Sequence, residues 1–569
     1  MSAKSGPGRK DISIVLGGEA GQGIQTIEFI LARVLKRSGY HIFSTKEYMS
    51  RIRGGSNSIL IRVSSQQVSA PVDRIDILVP LDHKALIRLE SRINPETVIV
   101  GDITALSPER DMIDVPLQRI AEEVGDGIYA NTVAAGLLSG ILEADTAVMI
   151  DYTKEFFSRK SIDIVNHNIT AIRKGYEAGR ALCKSGKISI SVNKDPSAAH
   201  ELLVNGGEAV AFGAIAGGCN FISSYPMSPS TAVLTNLSAQ DEQFGIVVEQ
   251  VEDEISAVNM AIGAWYAGAR AMATTSGGGF ALMEEGISLA GMIESPLVVH
   301  LAQRPGPATG LPTRTEQGDL ELALYAGHGE FPRIIYAPGN TEEAYFLTQR
   351  AFNEADRCQV PVFILTDQYF MDTYYNVPAL DIDGTGIMKH LVQTDPDYRR
   401  YILTENGISP RGIPGFGEGL VTADSDEHDE EGHITEDESV RTAMVDKRLR
   451  KTETILADSV LPVLTGPDQY QNLIVGWGST RPVITEATEK LERGDTACLH
   501  FPQVYPLPPA ASEFLSRAEK LIVVENNATG QFARLLRIGT DARIDNTVLK
   551  YSGMPFTVEE LVAKVSEII

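Results

Sequence analysis

The chain has 569 residues, 43% hydrophobic and 22% charged, with a formal net charge of −25 at pH 7. At about 100 to 200 residues per domain, this is length for three or four globular domains. The acidic balance argues against a nucleic-acid partner, which needs clustered Lys and Arg, and no apolar run reaches the roughly 18 residues of a membrane span.

The opening MSAKSGPGRK is polar, without a signal-peptide core, and reads as a disordered tail on a cytoplasmic protein. Cys183, Cys219, Cys358 and Cys498 lie far apart in sequence. They form no CxxC zinc or iron–sulfur pattern and read as free thiols in a reducing compartment. No internal repeat of about 20 to 50 residues is present.

DISIVL reads as a strand, GGEAGQG as a loop and IQTIEFILARVLKRSG as a helix with Ile27, Ile30, Leu31, Val34 and Leu35 on one face. HIFST is the next strand. A strand, a glycine loop and a helix start together suit an anion. Gly18, Gly21 and Gly23 do not follow GxGxxG, and the second strand leads to Lys46 rather than an acid. That spacing disfavours a dinucleotide site; glycines used only for packing are the alternative. Lys46, Arg51 and Arg53 then form a basic cluster, either a site for an anionic ligand or a solvated turn. IDILVPL and TVIVGD are further strands, and VGDGIYANTVAAGLLSGIL is a loop entering a small-residue helix. Residues 184–200 are polar and turn-rich, hence a linker.

From VNGGEAVAFGAIAGG onward, short apolar runs alternate with helical segments, the pattern of a parallel sheet with covering helices. Ligands of such sheets bind beyond the carboxyl ends of the strands. Here those ends carry Tyr225, Pro226 and Ser228, then Ser276 with Gly277 to Gly279, then Arg304, and lastly Asp367. Glu254 starts a helix in which Ala257, Val258, Ala261 and Trp265 share its face. A carboxylate on an apolar face must find a partner or raise its pKa, and Glu252 and Asp253 push the same way. The alternative is an acid that merely complements the helix dipole.

YPMSPS, EDEISAVNMAIGA, TSGGGFALMEE and QRPGPATGLPTRTEQGDL resemble YPITPSS, EDEIAAI, TSGPGFSLMEE and QRGGPSTGLPTKTEQGDL of the 2-oxoacid:ferredoxin oxidoreductases. The whole chain resembles the α subunit of the 2-oxoglutarate enzymes in the form with a fused γ domain. The resemblance implies an α/β fold of three domains with mainly parallel sheets. These are a Rossmann-like γ domain (1–183), a thiamine pyrimidine-binding domain (201–380) and a transketolase C-terminal-like domain (456–569). An irregular acidic insert (381–455) precedes the last of these. That last domain is expected to serve subunit packing.

The implied reaction is oxidative decarboxylation of a 2-oxoacid, with the acyl group passed to coenzyme A and electrons passed to ferredoxin. Glu254 then aligns with the glutamate that meets N1′ of the thiamine aminopyrimidine. Pro226, Gly277 and Gly278 fall on the cofactor side. Arg304 is expected to hold the substrate C1 carboxylate, with Ser228 and Tyr225 beside it. Lys46 would meet coenzyme A phosphates or a distal substrate carboxylate. Ser228 replaces the usual threonine but keeps a hydroxyl, and GGG replaces GPG.

Gly125-Asp126-Gly127 lacks the paired asparagines of a diphosphate and magnesium motif, and the chain lacks cluster ligands. Thiamine diphosphate is therefore expected at an interface with a β subunit that carries magnesium and a [4Fe–4S] cluster, in an (αβ)2 assembly. The acidic run from Asp424 to Glu431 has no EF-hand glycine and reads as a solvated loop. Arg399, Arg400 and Arg411 stand upstream as candidates for an acidic substrate. Pyruvate, branched-chain 2-oxoacids and indolepyruvate are the alternative substrates. A non-catalytic scaffold paralogue and a Rossmann-type dehydrogenase are the other classes.

Overall fold

The computed structural model describes residues 10–19, 22–49, 55–107, 110–380 and 386–569. The N-terminal tail up to residue 9, together with Gly21, Arg51 and Arg53, lies outside the described residues. The chain divides into two units. One is Met1–Val204 with Asp372–Leu380 and Thr557–Glu559; the other is Asn205–Met371 with Asp381–Phe556 and Glu560–Ile569.

In the first unit the apolar run at DISIVL becomes a nine-residue strand, Asp11–Glu19, so Gly17 and Gly18 belong to the strand rather than the loop. It sits inside an eight-stranded mixed sheet, antiparallel to Ser56–Ser64 and parallel to Ile77–Pro80. Helix Ile24–Arg37 buries Ile27, Ile30, Leu31, Val34 and Leu35 against the sheet, the face its period predicts. Its N-cap, Gly23, is left-handed with φ 77, and a Cβ there would fall 2.0 Å from Asn131 Nδ2.

Helices Ala130–Ile141 and Ile162–Lys184 meet backbone to backbone. A Cβ on Gly136 would come within 2.2 Å of the Ile172 carbonyl, and one on Gly175 within 2.1 Å of that of Val133. Strand Tyr374–Val377 also belongs to this sheet, between His41–Glu47 and Leu202–Asn205. Asn376 fixes it there, accepting from Ile42 N at 2.8 Å and donating to Glu201 Oε2 at 2.8 Å.

The second unit holds two sheets. The larger has seven strands in the order Gln503–Tyr505, Ile334–Tyr336, Pro361–Asp367, Leu297–Gln303, Ala271–Thr275, Phe221–Ser224 and Val247–Gln250. All but the first run parallel. The smaller has five strands, with Asn472–Trp477 between Thr496–Phe501 and Lys520–Glu525. The fold is therefore α/β, with parallel pairing dominant in the two sheets of this unit. Central strands such as Leu297–Gln303 and Pro361–Asp367 are buried throughout, as sheets covered on both faces require.

The segment ACLHFPQVYP serves both sheets. Thr496–Phe501 stays in the smaller, while Gln503–Tyr505 pairs with Ile334–Tyr336 of the larger. The break falls at Pro502, which cannot donate to a ladder; its carbonyl accepts from Ala337 N at 2.8 Å.

Within 386–437 the described chain is irregular, and helix Glu438–Ala457 follows. That helix is anchored from inside. Lys447 and Lys451 reach the buried carboxylate of Glu294 at 2.5 and 2.6 Å. The acidic run is internally paired: Arg448 and Arg441 hold Glu427, and Arg399 holds Glu430. Arg400 donates to the Glu294 carbonyl at 2.8 Å and Arg411 to Asp356 at 2.5 Å. Both are buried on protein partners, which corrects their candidacy for substrate.

Among the described residues no group of three His, Cys, Asp or Glu could hold a metal ion. Among them also, no helix is long and apolar enough to cross a membrane. The four cysteines are free; three are buried, and Cys183 is half-buried.

Candidate active site

Helix Glu254–Tyr266 positions the central carboxyl. Asp253 caps it, accepting from Ser256 N at 2.8 Å. Its apolar face carries Ala257, Val258, Ala261 and Trp265 into the core, as predicted. Two ties seat it on the sheet: Ser223 Oγ donates to the Ala257 carbonyl at 2.6 Å, and Trp265 Nε1 to that of Ala271 at 2.8 Å. The result is a Glu254 side chain only 3% exposed. Its Oε1 has no hydrogen-bond partner among the described residues. Burial pushes this carboxyl above the usual glutamate range, and the Asp253 charge adds to the effect.

The floor beside Glu254 is the short helix Gly277–Leu282 that follows strand Ala271–Thr275. A Cβ on Gly279 would lie 2.4 Å from Glu254 Oε1 and 2.2 Å from Thr275 Oγ1. Phe280 locks this helix in place, edge-on to Phe363 at 5.1 Å between centroids. Ser276 Oγ is buried there and has no partner among the described residues. Under the floor His300 is buried, bonding Thr274 Oγ1 and Thr366 Oγ1 at 2.8 Å each, so one imidazole ties three strands.

Arg304, just past strand Leu297–Gln303, donates from Nη1 to the Ser228 carbonyl at 2.7 Å. The structure thus brings the turn of Tyr225, Pro226 and Ser228 to the guanidinium, through the Ser228 main chain rather than its hydroxyl. Tyr225 and Ser228 are exposed and Pro226 half-buried. Gly278 has open space above it, its nearest neighbour being the Ala308 carbonyl at 3.9 Å from a built Cβ. Asp367 ends its strand as expected but is fully used. It accepts from Thr315 Oγ1 at 2.9 Å, from Phe370 N at 3.0 Å and from Ser479 Oγ.

Sequence reasoning passed over Asp319. Its Oδ2 is buried and, among the described residues, unpartnered, and a Cβ on Gly277 would lie 2.5 Å from it. Burial, with Glu316 nearby, pushes its carboxyl up to about 7 against the pull of Arg304. The loop that carries it is stitched to the smaller sheet. Gln317 donates to the Asn526 carbonyl at 2.7 Å from its main chain and to the Trp477 carbonyl at 2.8 Å from Nε2. Thr315 N reaches the Gly553 carbonyl at 3.1 Å. The only signal in the sequence was the position of Asp319 within TEQGDL.

Lys46 lies in the first unit. It lines a cleft of about 340 Å³ with Gly23, Thr26, Tyr48 and Asn57. Its Nζ stands 6.0 Å from the Tyr374 ring centroid.

Comparison with known proteins gives concordant matches. The family described as pyruvate flavodoxin/ferredoxin oxidoreductase, thiamine diP-bdg, matches residues 212–447. The pyruvate ferredoxin/flavodoxin oxidoreductase family matches residues 13–178. The 2-oxoacid:ferredoxin oxidoreductase subunit alpha of a Sulfolobus species is 32% identical, over 97% of this chain and 96% of its own. The 2-oxoglutarate synthase subunit KorA of Archaeoglobus fulgidus is 31% identical, over 58% of this chain and 89% of its own. The solved 2-oxoglutarate:ferredoxin oxidoreductase from Magnetococcus marinus, with 2-oxoglutarate, coenzyme A and succinyl-CoA bound, superposes with a TM-score of 0.92. It is 30% identical, covering 98% of this chain and 99% of that one. With likeness sustained over nearly its whole length in both sequence and fold, this chain belongs to the 2-oxoacid:ferredoxin oxidoreductase family, as an alpha subunit.

Proposed function

We propose that the chain is the alpha subunit of an enzyme that converts 2-oxoglutarate and coenzyme A to succinyl-CoA and carbon dioxide, or runs the reverse, in exchange with ferredoxin. One observation carries the site: the buried Glu254 carboxyl, with Oε1 unpartnered, against the bare face of Gly279. Leaving a buried polar group unpaired costs about 1–3 kcal/mol, which a ligand that completes the bond returns. The aminopyrimidine of thiamine diphosphate fits this cradle, with a ring nitrogen for the carboxyl and a flat face for glycine. Pro226, Gly277 and Gly278 would line its edge. When bound, the cofactor supplies the electron sink for cleavage next to the keto carbon.

The protein's own part is orientation and proton control. Glu254, its carboxyl raised by burial, holds a proton at the pyrimidine N1′ position in a water-poor setting that strengthens the contact. Arg304 spends one nitrogen on the Ser228 carbonyl and turns the rest of its fork to the C1 carboxylate of the 2-oxoacid. Tyr225 and the Ser228 hydroxyl stand exposed on the same turn to meet substrate. Lys46 is assigned to a distal carboxylate or coenzyme A phosphate.

A β subunit would complete the site, bringing the diphosphate and magnesium motif and a [4Fe–4S] cluster, in an (αβ)2 particle. Support for 2-oxoglutarate comes from relatives named 2-oxoglutarate synthase and from the Magnetococcus marinus enzyme that holds it. The test is co-expression with the β subunit and dye reduction with 2-oxoglutarate, pyruvate, a branched-chain 2-oxoacid and indolepyruvate, with and without coenzyme A. The expected result is the highest kcat/KM for 2-oxoglutarate, with coenzyme A required. Preference for another acid would overturn the substrate, and no reduction with any would favour the scaffold.

A further inference from the structure

We propose that Asp319 is a positioning residue for the substrate, acting through Arg304: its carboxyl governs whether the guanidinium is open to the 2-oxoacid carboxylate. The proposal rests on the role given above to Arg304.

Gln303, the residue before Arg304, accepts from Asp319 N at 3.0 Å through Oε1 and donates to the Thr366 carbonyl at 3.1 Å through Nε2. This clasp fixes the Asp319 main chain beside the strand end that carries Arg304. The carboxyl is then laid on Gly277, where a Cβ would come within 2.5 Å of Oδ2 and 2.6 Å of Oδ1. Oδ2 is sealed from solvent without a partner among the described residues.

Two charged side chains act on the Asp319 carboxyl from nearby. Arg304 comes from the strand end and Glu316 from its own loop, and both act on its ionisation. Glu254 stands against Gly279, which shares the short helix Gly277–Leu282 with Gly277. Glu321, on the helix that follows, is paired with Arg534 at 2.9 Å. Among the described residues Arg304 is thus the sole cation acting on Asp319, and no ion pair joins the two.

A carboxyl raised to about 7 is mostly protonated below neutral pH, which leaves the guanidinium for an incoming carboxylate. Once ionised, Asp319 becomes the internal counter-ion of Arg304 and competes with substrate. Affinity should then fall as pH rises through neutrality, while a neutral isostere should hold it constant.

The experiment uses the assembled enzyme with its β subunit. KM and kcat for 2-oxoglutarate are measured from about pH 6.5 to about pH 8.5, with calorimetric binding of unreactive glutarate as a second readout. Wild type, Asp319→Asn, Asp319→Ser and Arg304→Gln are compared. Wild-type KM should rise roughly five-fold or more across this range, given a group that titrates near neutrality. Both Asp319 variants should change less than about two-fold, and glutarate binding should follow the same pattern. Asp319→Ser removes the titrating group by different chemistry, so misfolding of one variant leaves the other to decide. A rise in KM in either folded Asp319 variant parallel to wild type would overturn the proposal. Normal KM and normal glutarate binding in Arg304→Gln would instead overturn the assignment of Arg304 on which it stands.

Discussion

Glu254 and Gly279 occupy one space: a methyl group on residue 279 would sit 2.4 Å from the Glu254 Oε1. Gly279 has no left-handed backbone, so the demand for glycine here is steric, not conformational. Gly279→Ala should therefore fold, with the Glu254 carboxyl displaced. A shift of that size at a reacting centre costs on the order of 100-fold in kcat/KM. Activity within two- or three-fold of wild type, in a variant with unchanged melting, would refute the shared-space relation.

Glu254→Gln separates activity from stability. Turnover should be abolished, because the amide cannot hold the proton. Stability should rise at neutral pH, by about 1 kcal/mol, because an unpartnered buried carboxyl is gone. The sign follows from the raised pKa. The folded carboxyl resists ionisation above the ordinary glutamate value of about 4.3, so the wild type is penalised at higher pH and not below it. Melting of the cofactor-free chain at about pH 5 and about pH 8 measures this. An equal gap at both values, or none at either, would defeat it.

His300 is a neutral imidazole locked between two threonine hydroxyls, and burial holds its pKa down to about 3. The unfolded chain takes a proton near the ordinary histidine value of about 6.5, which the folded chain refuses. Stability from this site is thus intact above about 6.5 and lost as pH falls toward 3. Between about pH 7 and about pH 5 the loss is about 2 kcal/mol. His300→Gln removes the titration and should flatten this slope relative to wild type in urea unfolding. His300→Leu strands both hydroxyls and should cost about 2–3 kcal/mol at pH 7. Parallel slopes for wild type and His300→Gln would show that the acid sensitivity lies elsewhere.

Much of this site could be read from residue order, for a physical reason. Helix period alone put Glu254, Ala257, Val258, Ala261 and Trp265 on one face, and the structure buries all five. Strand ends are equally legible, because short apolar runs stop at glycine, proline or polar residues, and Arg304 and Gly277 to Gly279 stand at those ends. What order could not show is which polar atoms are already satisfied. Asp367 and Asp319 both look like edge carboxylates. The first is met by Thr315 and Ser479 from distant segments, the second by neither on its Oδ2. Arg400 and Arg411 were misread in the same way, since their partners Glu294 and Asp356 are remote in sequence. Pairing across long intervals also hid the transfer of Gln503–Tyr505 to the larger sheet.

The strand Tyr374–Val377 has a consequence for biosynthesis. It lies between His41–Glu47 and Leu202–Asn205, so the first sheet has a vacant place until about 170 further residues have left the ribosome. A polypeptide stopped at residue 204 would show the main-chain edge of His41–Glu47 to other molecules, and such edges recruit foreign strands. The nascent N-terminal portion should therefore need shielding until translation passes Val377, and only then close its own sheet.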